Sequence, residues 1–138
     1  MGSETRNTIG RFMGRVSRRA HLFLTKELAE QNCNIAPGEI MFLMHLYNNN
    51  VARQDELSQT FNIDKGNITK SIKRLEDRGF LYKVKDSQDK RVYNIYLTEK
   101  GQELKPVILD VLDRLDVLLS QNLSQEEYNQ LLNLLKKI

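Results

Sequence analysis

Apolar residues recur every three or four positions at the start of the chain, and this spacing predicts a long amphipathic helix over residues 7–31. A second helix is predicted to begin at Pro37, because proline fits the first helical position. It should end at the asparagines 48–50, which tolerate left-handed backbone. Two shorter helical patterns follow at residues 54–60 and 65–78, separated only by FNID. Two helices joined by so short a turn form a helix-turn-helix.

The pattern then changes from helical spacing to runs of β-branched and aromatic residues. FLYKV at residues 80–84 and VYNIYL at residues 92–97 flank the polar stretch DSQDKR, which predicts one isolated β-hairpin. Thr98 is predicted to cap a helix of about 22 residues that bends at Pro106. SQEE at residues 124–127 is a capping box for a last helix. The fold class is therefore mainly α with a small β-hairpin.

Composition places residues 1–138 in a single folded domain. Hydrophobic residues make up 40% and charged residues 28% of the chain, which is typical of globular proteins rather than disordered ones. The apolar runs are far shorter than a bilayer span, so no membrane partner is expected. MGSETRNTIG contains no apolar signal region, and one cysteine cannot form an internal disulfide. We therefore expect a cytoplasmic protein.

The net charge of +3 is unevenly distributed along the chain. Residues 1–19 contain five arginines and one glutamate, and residues 65–91 contain nine basic and four acidic groups. The segments 20–64 and 92–138 are both net negative. Two basic blocks of this kind favour a polyanionic partner, although a solvated basic surface is the alternative.

The second helix of the predicted helix-turn-helix has one apolar and one cationic face. Ile68, Ile72 and Leu75 fall within one sector of the helix, which must be its core side. The opposite face carries lysines, an arginine and an amide that can bond base edges in the major groove of DNA, and the alternative is ordinary solvated surface. The predicted DNA contacts on this helix are Lys65, Asn67, Thr69, Lys70, Lys73 and Arg74.

A hairpin directly after such a helix is a wing that reaches sideways along the duplex. Arg91 at its tip is predicted to enter the minor groove, where the negative potential is concentrated. Asp89 can hold that guanidinium by a bidentate pair. The predicted DNA-binding residues of the tip are Asp89, Lys90 and Arg91. A solvated, charged loop is the alternative interpretation of this tip.

DKGNITKSIKRLEDRGFLYKVKDSQDKRVYNIYLTEKG resembles the MarR family of bacterial and archaeal winged-helix regulators, most specifically in RLEDRGF, DSQDKR and LTEKG. Asp86, Asp89 and Arg91 match the family's D-x-x-D-R/K-R wing pattern, and Lys90 is the less usual choice at its place. QDELSQTFNIDKGNITK matches the supporting and recognition helices. The resemblance implies a winged helix-turn-helix with N- and C-terminal dimerisation helices. It also implies a homodimeric repressor of a pseudo-palindromic operator in double-stranded DNA, often released by a small aromatic acid or other phenolic anion bound between the lobes.

Dimerisation is also indicated by the apolar stripes. A winged-helix lobe needs about residues 36–98, and the helices at residues 7–31 and 99–138 carry apolar positions beyond what that lobe can cover. Pairing two subunits would cover them and place two recognition helices about 34 Å apart, one turn of DNA. Packing within one chain is the alternative. The predicted interface residues are Ile9, Phe12, Leu112, Leu119, Leu131 and Leu135.

Other candidate sites are weaker. Four residues of the first helix could hold a carboxylate ligand, lie on the surface or touch phosphate: Arg15, Arg18, Arg19 and His21. Cys33 would suit a redox-sensing regulator, but it has no adjacent cation to lower its pKa. No metal-ligand spacing, catalytic triad or phosphate-binding glycine loop is present, so neither a cofactor nor enzymatic activity is expected. The rival class is a winged-helix module that docks an acidic protein.

Overall fold

Seven α-helices and three β-strands follow one another in residues 6–138, the part of the chain that the computed structural model describes. The helices are α1 (Ile9–Glu30), α2 (Ile40–Asn49), α3 (Gln54–Phe61), α4 (Lys65–Asp77), α5 (Glu99–Glu103), α6 (Lys105–Ser120) and α7 (Gln125–Leu135), and a 3₁₀ turn (Pro37–Glu39) precedes α2. The strands are β1 (Val51–Arg53), β2 (Leu81–Lys85) and β3 (Tyr93–Leu97). The predicted domain begins at residue 1, and its first five residues lie outside the described part. None of the described helices is long and apolar enough to cross a membrane.

Side-chain caps begin the helices where the sequence predicts them. The Asp64 carboxylate accepts a hydrogen bond from the Asn67 amide at 2.8 Å, and the Thr98 hydroxyl accepts one from the Gly101 amide at 3.0 Å. Ser124 forms the expected capping box at the start of α7. Each cap satisfies amides that the first helical turn leaves without partners. These three predicted helix starts are confirmed.

The end of α4 is equally well defined. Gly79 adopts a φ of +83°, and its amide donates to the Glu76 carbonyl at 2.9 Å. The Phe80 amide donates to the Leu75 carbonyl at 3.0 Å, which completes a Schellman motif. A left-handed backbone suits glycine because it has no Cβ. The predicted stop at Gly79 is confirmed, and the chain leaves α4 directly into β2.

The hairpin is not isolated, which corrects the sequence prediction. β1 pairs antiparallel with β3, with Ala52 opposite Ile95, and the strand order is β1-β3-β2. A strand of three residues is too short to show a period of two, so no pattern in the sequence marks it. It covers the β3 edge that would otherwise present unpaired backbone groups. The wing is therefore anchored to the segment between α2 and α3.

The helix predicted to follow Thr98 is two helices, α5 and α6, that meet at Leu104. Pro106 lies in the first turn of α6, where its missing amide hydrogen has no helical partner to lose. The predicted bend is therefore a break between helices rather than a kink within one.

The core lies where α1, α2, α4, the sheet and α6 meet. Leu28, Leu43, Ile72 and Ile108 are at most 1% exposed, as is Val111 of α6. Leu112, assigned above to the dimer interface, packs partly buried against this core. Its role in a dimer interface stays a prediction. The fold class, a winged helix-turn-helix with flanking helices, is confirmed.

The start of α5 is packed tightly against the end of α4. The Tyr47 hydroxyl donates to the Gly101 carbonyl at 2.7 Å, and burial raises the pKa of Tyr47 to about 12, so the hydroxyl stays protonated. A Cβ added at Gly101 would lie 2.3 Å from the Phe80 carbonyl oxygen. Position 101 therefore needs glycine because two backbones approach closely there.

We expect Gly101→Ala to lower the free energy of unfolding by about 1–3 kcal/mol, because the added methyl group forces neighbouring backbone apart. Urea unfolding at one fixed protein concentration measures this change. Gly10→Ala is the matched control, since a Cβ at Gly10 meets nothing within 4 Å and α1 should tolerate or gain from it. Equal effects of the two substitutions would contradict the close-approach argument.

Candidate nucleic-acid interface

Helix α4 turns its cationic face outward because its apolar face is buried. Ile68 is 1% exposed, and Ile72 and Leu75 are fully buried, as the sequence predicts. The six predicted DNA contacts on α4 are all exposed. Packing of the apolar face therefore fixes the orientation of α4 about its axis. That orientation determines which polar residues face the solvent.

The cationic residues of α4 differ in whether they form ion pairs within the protein. Lys65 and Lys70 form no ion pair with any other residue in the range 6–138. Lys73 pairs with Asp77 at 3.5 Å, and Arg74 pairs with Glu39 at 3.2 Å. The unpaired cations thus lie in the N-terminal half of α4, the half that contacts base edges in helix-turn-helix proteins.

Asp86 organises the wing. Its carboxylate accepts hydrogen bonds from the Gln88 and Asp89 amides and from the Asn94 side chain, all at 3.0 Å. The Asn94 bond, followed by the Asp89 and Gln88 amides, lowers the pKa of Asp86. One carboxylate therefore holds both the turn and the strand that follows it.

Arg91 lies at the wing tip, where the Asp89 carboxylate holds its guanidinium. Asp89 accepts from the Arg91 Nε at 3.1 Å and from its Nη2 at 3.3 Å, so the predicted bidentate pair is confirmed. This side-chain bond is the main cause of the lowered pKa of Asp89. The Arg91 side chain is nevertheless 90% exposed. Its guanidinium is held in orientation while it stays open to solvent, and Lys90 beside it is also exposed.

A cleft of about 280 Å³ joins the helix-turn-helix to the wing. Lys65 and Thr69 of α4 line one side of it, and Arg91 lines the other. Gln54 at the start of α3 also lines the cleft, and its amide group lies 3.4 Å from the Thr69 hydroxyl. The fold thus brings the N-terminal half of α4 and the wing tip to one surface, away from Lys73 and Arg74 nearer the end of α4.

Arg53 at the end of β1 is a charged residue near the wing that the sequence prediction does not include. Its guanidinium donates to both oxygens of Asp55, at 3.1 and 2.9 Å, and this bond lowers the pKa of Asp55. The charge of Arg53 also contributes to the lowered pKa of Asp86 and of Asp89. The pair with Asp55 is local, but the proximity of Arg53 to the wing carboxylates depends on the β1–β3 pairing, which no local pattern marks.

The four proposed anion ligands of α1 line two different depressions. Arg15 and Arg19 line an apolar groove between α1, α6 and α7, whereas Arg18 and His21 line a separate shallow depression. A joint anion site of these four residues stays a prediction.

Cys33 lies partly buried against the core, and burial raises the pKa of its thiol. A raised pKa leaves less thiolate, which is the reactive form. The structure therefore disfavours a redox sensor at this position.

The apolar groove beside α1 is part of a larger uncovered surface. It has a volume of about 380 Å³ and is lined by Phe12, Leu119, Leu131 and Leu135 among others. Ile9 is 67% exposed, Phe12 44% and Leu131 43%. In folded proteins, exposed apolar side chains that lie this close together are typical of interaction surfaces.

Comparison with known proteins supports this architecture. A family model described as transcriptional regulator SarA/Rot matches residues 25–108. The HTH-type transcriptional regulator SarZ of Staphylococcus haemolyticus is 30% identical over 98 residues, which is 71% of this chain and 65% of SarZ. Over its matched segments, the chain spans about half to two thirds of the length of such curated relatives, from 52% to 65%.

Solved structures of other proteins share the fold of this chain over nearly its whole length. A MarR transcriptional regulator from Methanosarcina mazei Go1 is 27% identical, with a TM-score of 0.88 over 95% of this chain and 93% of that one. A cysteine-to-serine mutant of Escherichia coli MarR, solved in complex with operator DNA, has a TM-score of 0.83 at 24% identity and covers 94% of this chain and 91% of its own. The second likeness concerns the fold alone.

The lowered pKa of Asp86 predicts a wing that stays ordered in moderate acid. A carboxyl group whose pKa is lowered in the folded state contributes stability above its unfolded pKa, and that contribution is lost as the pH falls through the folded value. We expect the Gln88 amide NMR shift to change only below pH of about 3.9, the ordinary Asp value. Asp86→Asn should abolish this transition. A Gln88 transition at or above the ordinary value would contradict the assigned role of Asp86.

Proposed function

This chain belongs to the SarA/Rot family of transcriptional regulators and has the winged-helix fold of the MarR family, and we propose on that premise that it regulates transcription as a homodimer bound to double-stranded DNA. The observation that carries the proposal is the common surface of Lys65, Thr69 and Arg91, which joins the recognition helix to the wing. Exposed cations on such a surface can contact DNA phosphates, which fixes the orientation of a protein on the duplex.

Helix α4 is the proposed reader of the major groove. Asn67 and Lys70, exposed near its N-terminus, can bond base edges, while Lys65 and Thr69 are placed to contact phosphate. Lys73 can exchange Asp77 for a phosphate, because an exposed ion pair contributes only about 0–1 kcal/mol. The N-terminal half of α4 therefore carries sequence readout.

The wing is the proposed reader of the minor groove. Arg91 is held by Asp89 yet remains exposed, so little side-chain entropy is lost when its guanidinium enters a narrow, negative groove. This pre-orientation also favours DNA over the rival interpretation, an acidic protein partner. A protein-docking surface has no need for a fixed arginine a groove away from the helix.

A second copy of the chain is the proposed occupant of the apolar groove. The uncovered apolar surface extends from the groove to Ile9, Leu134 and Ile138, which is far more than a small aromatic acid could cover. A symmetric dimer buries the same surface on both subunits. It also presents two recognition helices about 34 Å apart to a pseudo-palindromic operator.

Repression is the proposed outcome, because a dimer that occupies its operator excludes other proteins from the same groove faces. Arg15 and Arg19 flank the dimer groove, so an anionic effector held there would compete with the second copy. We therefore place dimerisation, rather than effector binding, at this groove.

We expect Arg91→Ala to weaken binding to the DNA upstream of the chain's own gene by about 1–3 kcal/mol, because it removes the minor-groove contact. Fluorescence anisotropy across a salt series measures the affinity, which should fall steeply as salt rises. Lys26→Ala removes the same charge from an exposed site on α1 and should change affinity little. Equal binding by the Arg91 variant and the parent would refute the wing assignment.

We expect Leu131→Glu to dissociate the dimer, because it places a charge in the apolar groove where the second copy packs. Leu131 is 43% exposed in the single chain, so the subunit fold should survive, and circular dichroism verifies this. Sedimentation equilibrium measures the association state. Val84→Glu, which changes a similarly exposed residue of the wing, is the control and should leave the dimer intact. A dimeric Leu131 variant would remove the groove from the interface.

A further inference from the structure

Glu39 is the one charged residue that is buried in the described range 6–138, at 1% exposed. A carboxylate taken out of water costs several kcal/mol unless donors replace the lost hydration. Three donors do so here: the Ala36 amide at 2.8 Å, the Arg78 Nη1 at 2.9 Å and the Arg74 Nε at 3.2 Å. So complete a set of partners indicates a built junction rather than an accidental contact.

The junction joins three parts of the fold. Ala36 belongs to the segment that connects α1 to α2, whereas Arg74 and Arg78 belong to the last turn and the cap of α4. From the opposite side, the Lys100 Nζ of α5 donates to the Arg78 carbonyl at 2.8 Å. The C-terminal end of the recognition helix is therefore tied to the start of α2 and to α5.

Arg74 forms its side-chain hydrogen bonds within this junction. Its Nε bonds Glu39, and its Nη2 bonds the Ser71 hydroxyl at 3.2 Å. It lies nine residues after Lys65, or roughly 13 Å along the helix axis from the end that would contact bases. These bonds direct its guanidinium toward the protein, in contrast to the free cations near the N-terminus of α4.

We propose that Glu39 and Arg74 are positioning residues for DNA recognition, and that Arg74 acts through Glu39 rather than by contact with DNA. This inference rests on the proposed function, and it replaces the major-groove role that the sequence predicted for Arg74. The pair fixes the angle of α4 against the start of α2, and thereby the position of Asn67 and Lys70 in the groove.

A small change in this angle is sufficient to matter. If α4 pivots by roughly 10° about its C-terminal end, its N-terminus moves by roughly 2 Å over a 13 Å arm. Productive contacts tolerate displacements of only about 0.5 Å. In a dimer, α4 is displaced in both subunits, so base contacts are lost in both half-sites of the operator. The electrostatic attraction to phosphates persists.

A double-mutant cycle on DNA affinity tests the coupling. Arg74→Gln and Glu39→Gln should each weaken binding to the DNA upstream of the chain's own gene by on the order of tenfold. The double variant should bind DNA with about the same affinity as whichever single variant binds more weakly. The reason is that both substitutions remove the same interaction between Glu39 and Arg74. Arg91→Gln combined with Glu39→Gln is the control pair and should be additive, because Arg91 is held on the wing by Asp89 and shares no partner with Glu39. Additive effects of Arg74 and Glu39 would overturn the proposal.

Two further readouts separate positioning from contact and from loss of fold. Lys65→Gln, which removes a proposed phosphate contact, should reduce the salt slope by about 1, while Arg74→Gln should leave it unchanged. Both positioning variants should lower the ratio of affinity for the upstream DNA to that for a shuffled duplex. A variant that is merely less folded would bind both duplexes in proportion and keep the ratio. A reduced slope for Arg74→Gln, or an unchanged ratio, would overturn the proposal.

Amide hydrogen exchange in the DNA-free protein tests whether the hydrogen bonds of Glu39 stabilise this junction. Glu39→Gln should speed exchange at Ala36 and in the last turn of α4, and leave α7 unaffected. Unchanged exchange at those amides would refute the junction even if DNA affinity fell. If the parent protein failed to distinguish the upstream DNA from the shuffled duplex, the proposed function would fail instead, and the exchange result would decide whether the junction exists.

Discussion

The burial of three aliphatic side chains on one face of α4 is the constraint on which the rest depends. Ile68, Ile72 and Leu75 are all at most 1% exposed, and each contributes about 1.5–3 kcal/mol when removed from water. Any rotation of α4 about its axis would expose part of this surface. Lys65, Asn67 and Lys70 on the opposite face are therefore exposed as a result of apolar packing.

The wing is held by a different kind of interaction, which is polar and local. Asp86 accepts three hydrogen bonds within the hairpin, and Asp89 fixes Arg91 two residues away. Gly79 sends the chain from α4 into β2, while β1 pairs with β3 from the other side. The wing tip and α4 consequently share one cleft, although no ion pair in the described residues joins Arg91 to α4 directly.

The sequence predicted the features that local signals determine. The period of α4, the caps at Asp64 and Ser124 and the Asp89–Arg91 pair all depend on residues a few positions apart. It did not predict β1 or the Glu39–Arg74 tie, because these depend on partners that the fold brings together. Glu39 and Arg74 are 35 positions apart, and an isolated acidic residue near a helix start suggests only a cap.

Helix α6 connects the winged lobe to the surface proposed for dimerisation. Its Ile108 and Val111 are fully buried against the chain's own core, whereas Leu119, farther along, lines the open groove beside α1 and α7. One rigid helix thus contacts the winged lobe and the surface proposed for the second copy. In the proposed dimer, the packing of apolar side chains along α6 would therefore influence the distance between the two α4 helices, far from any residue that would touch a base.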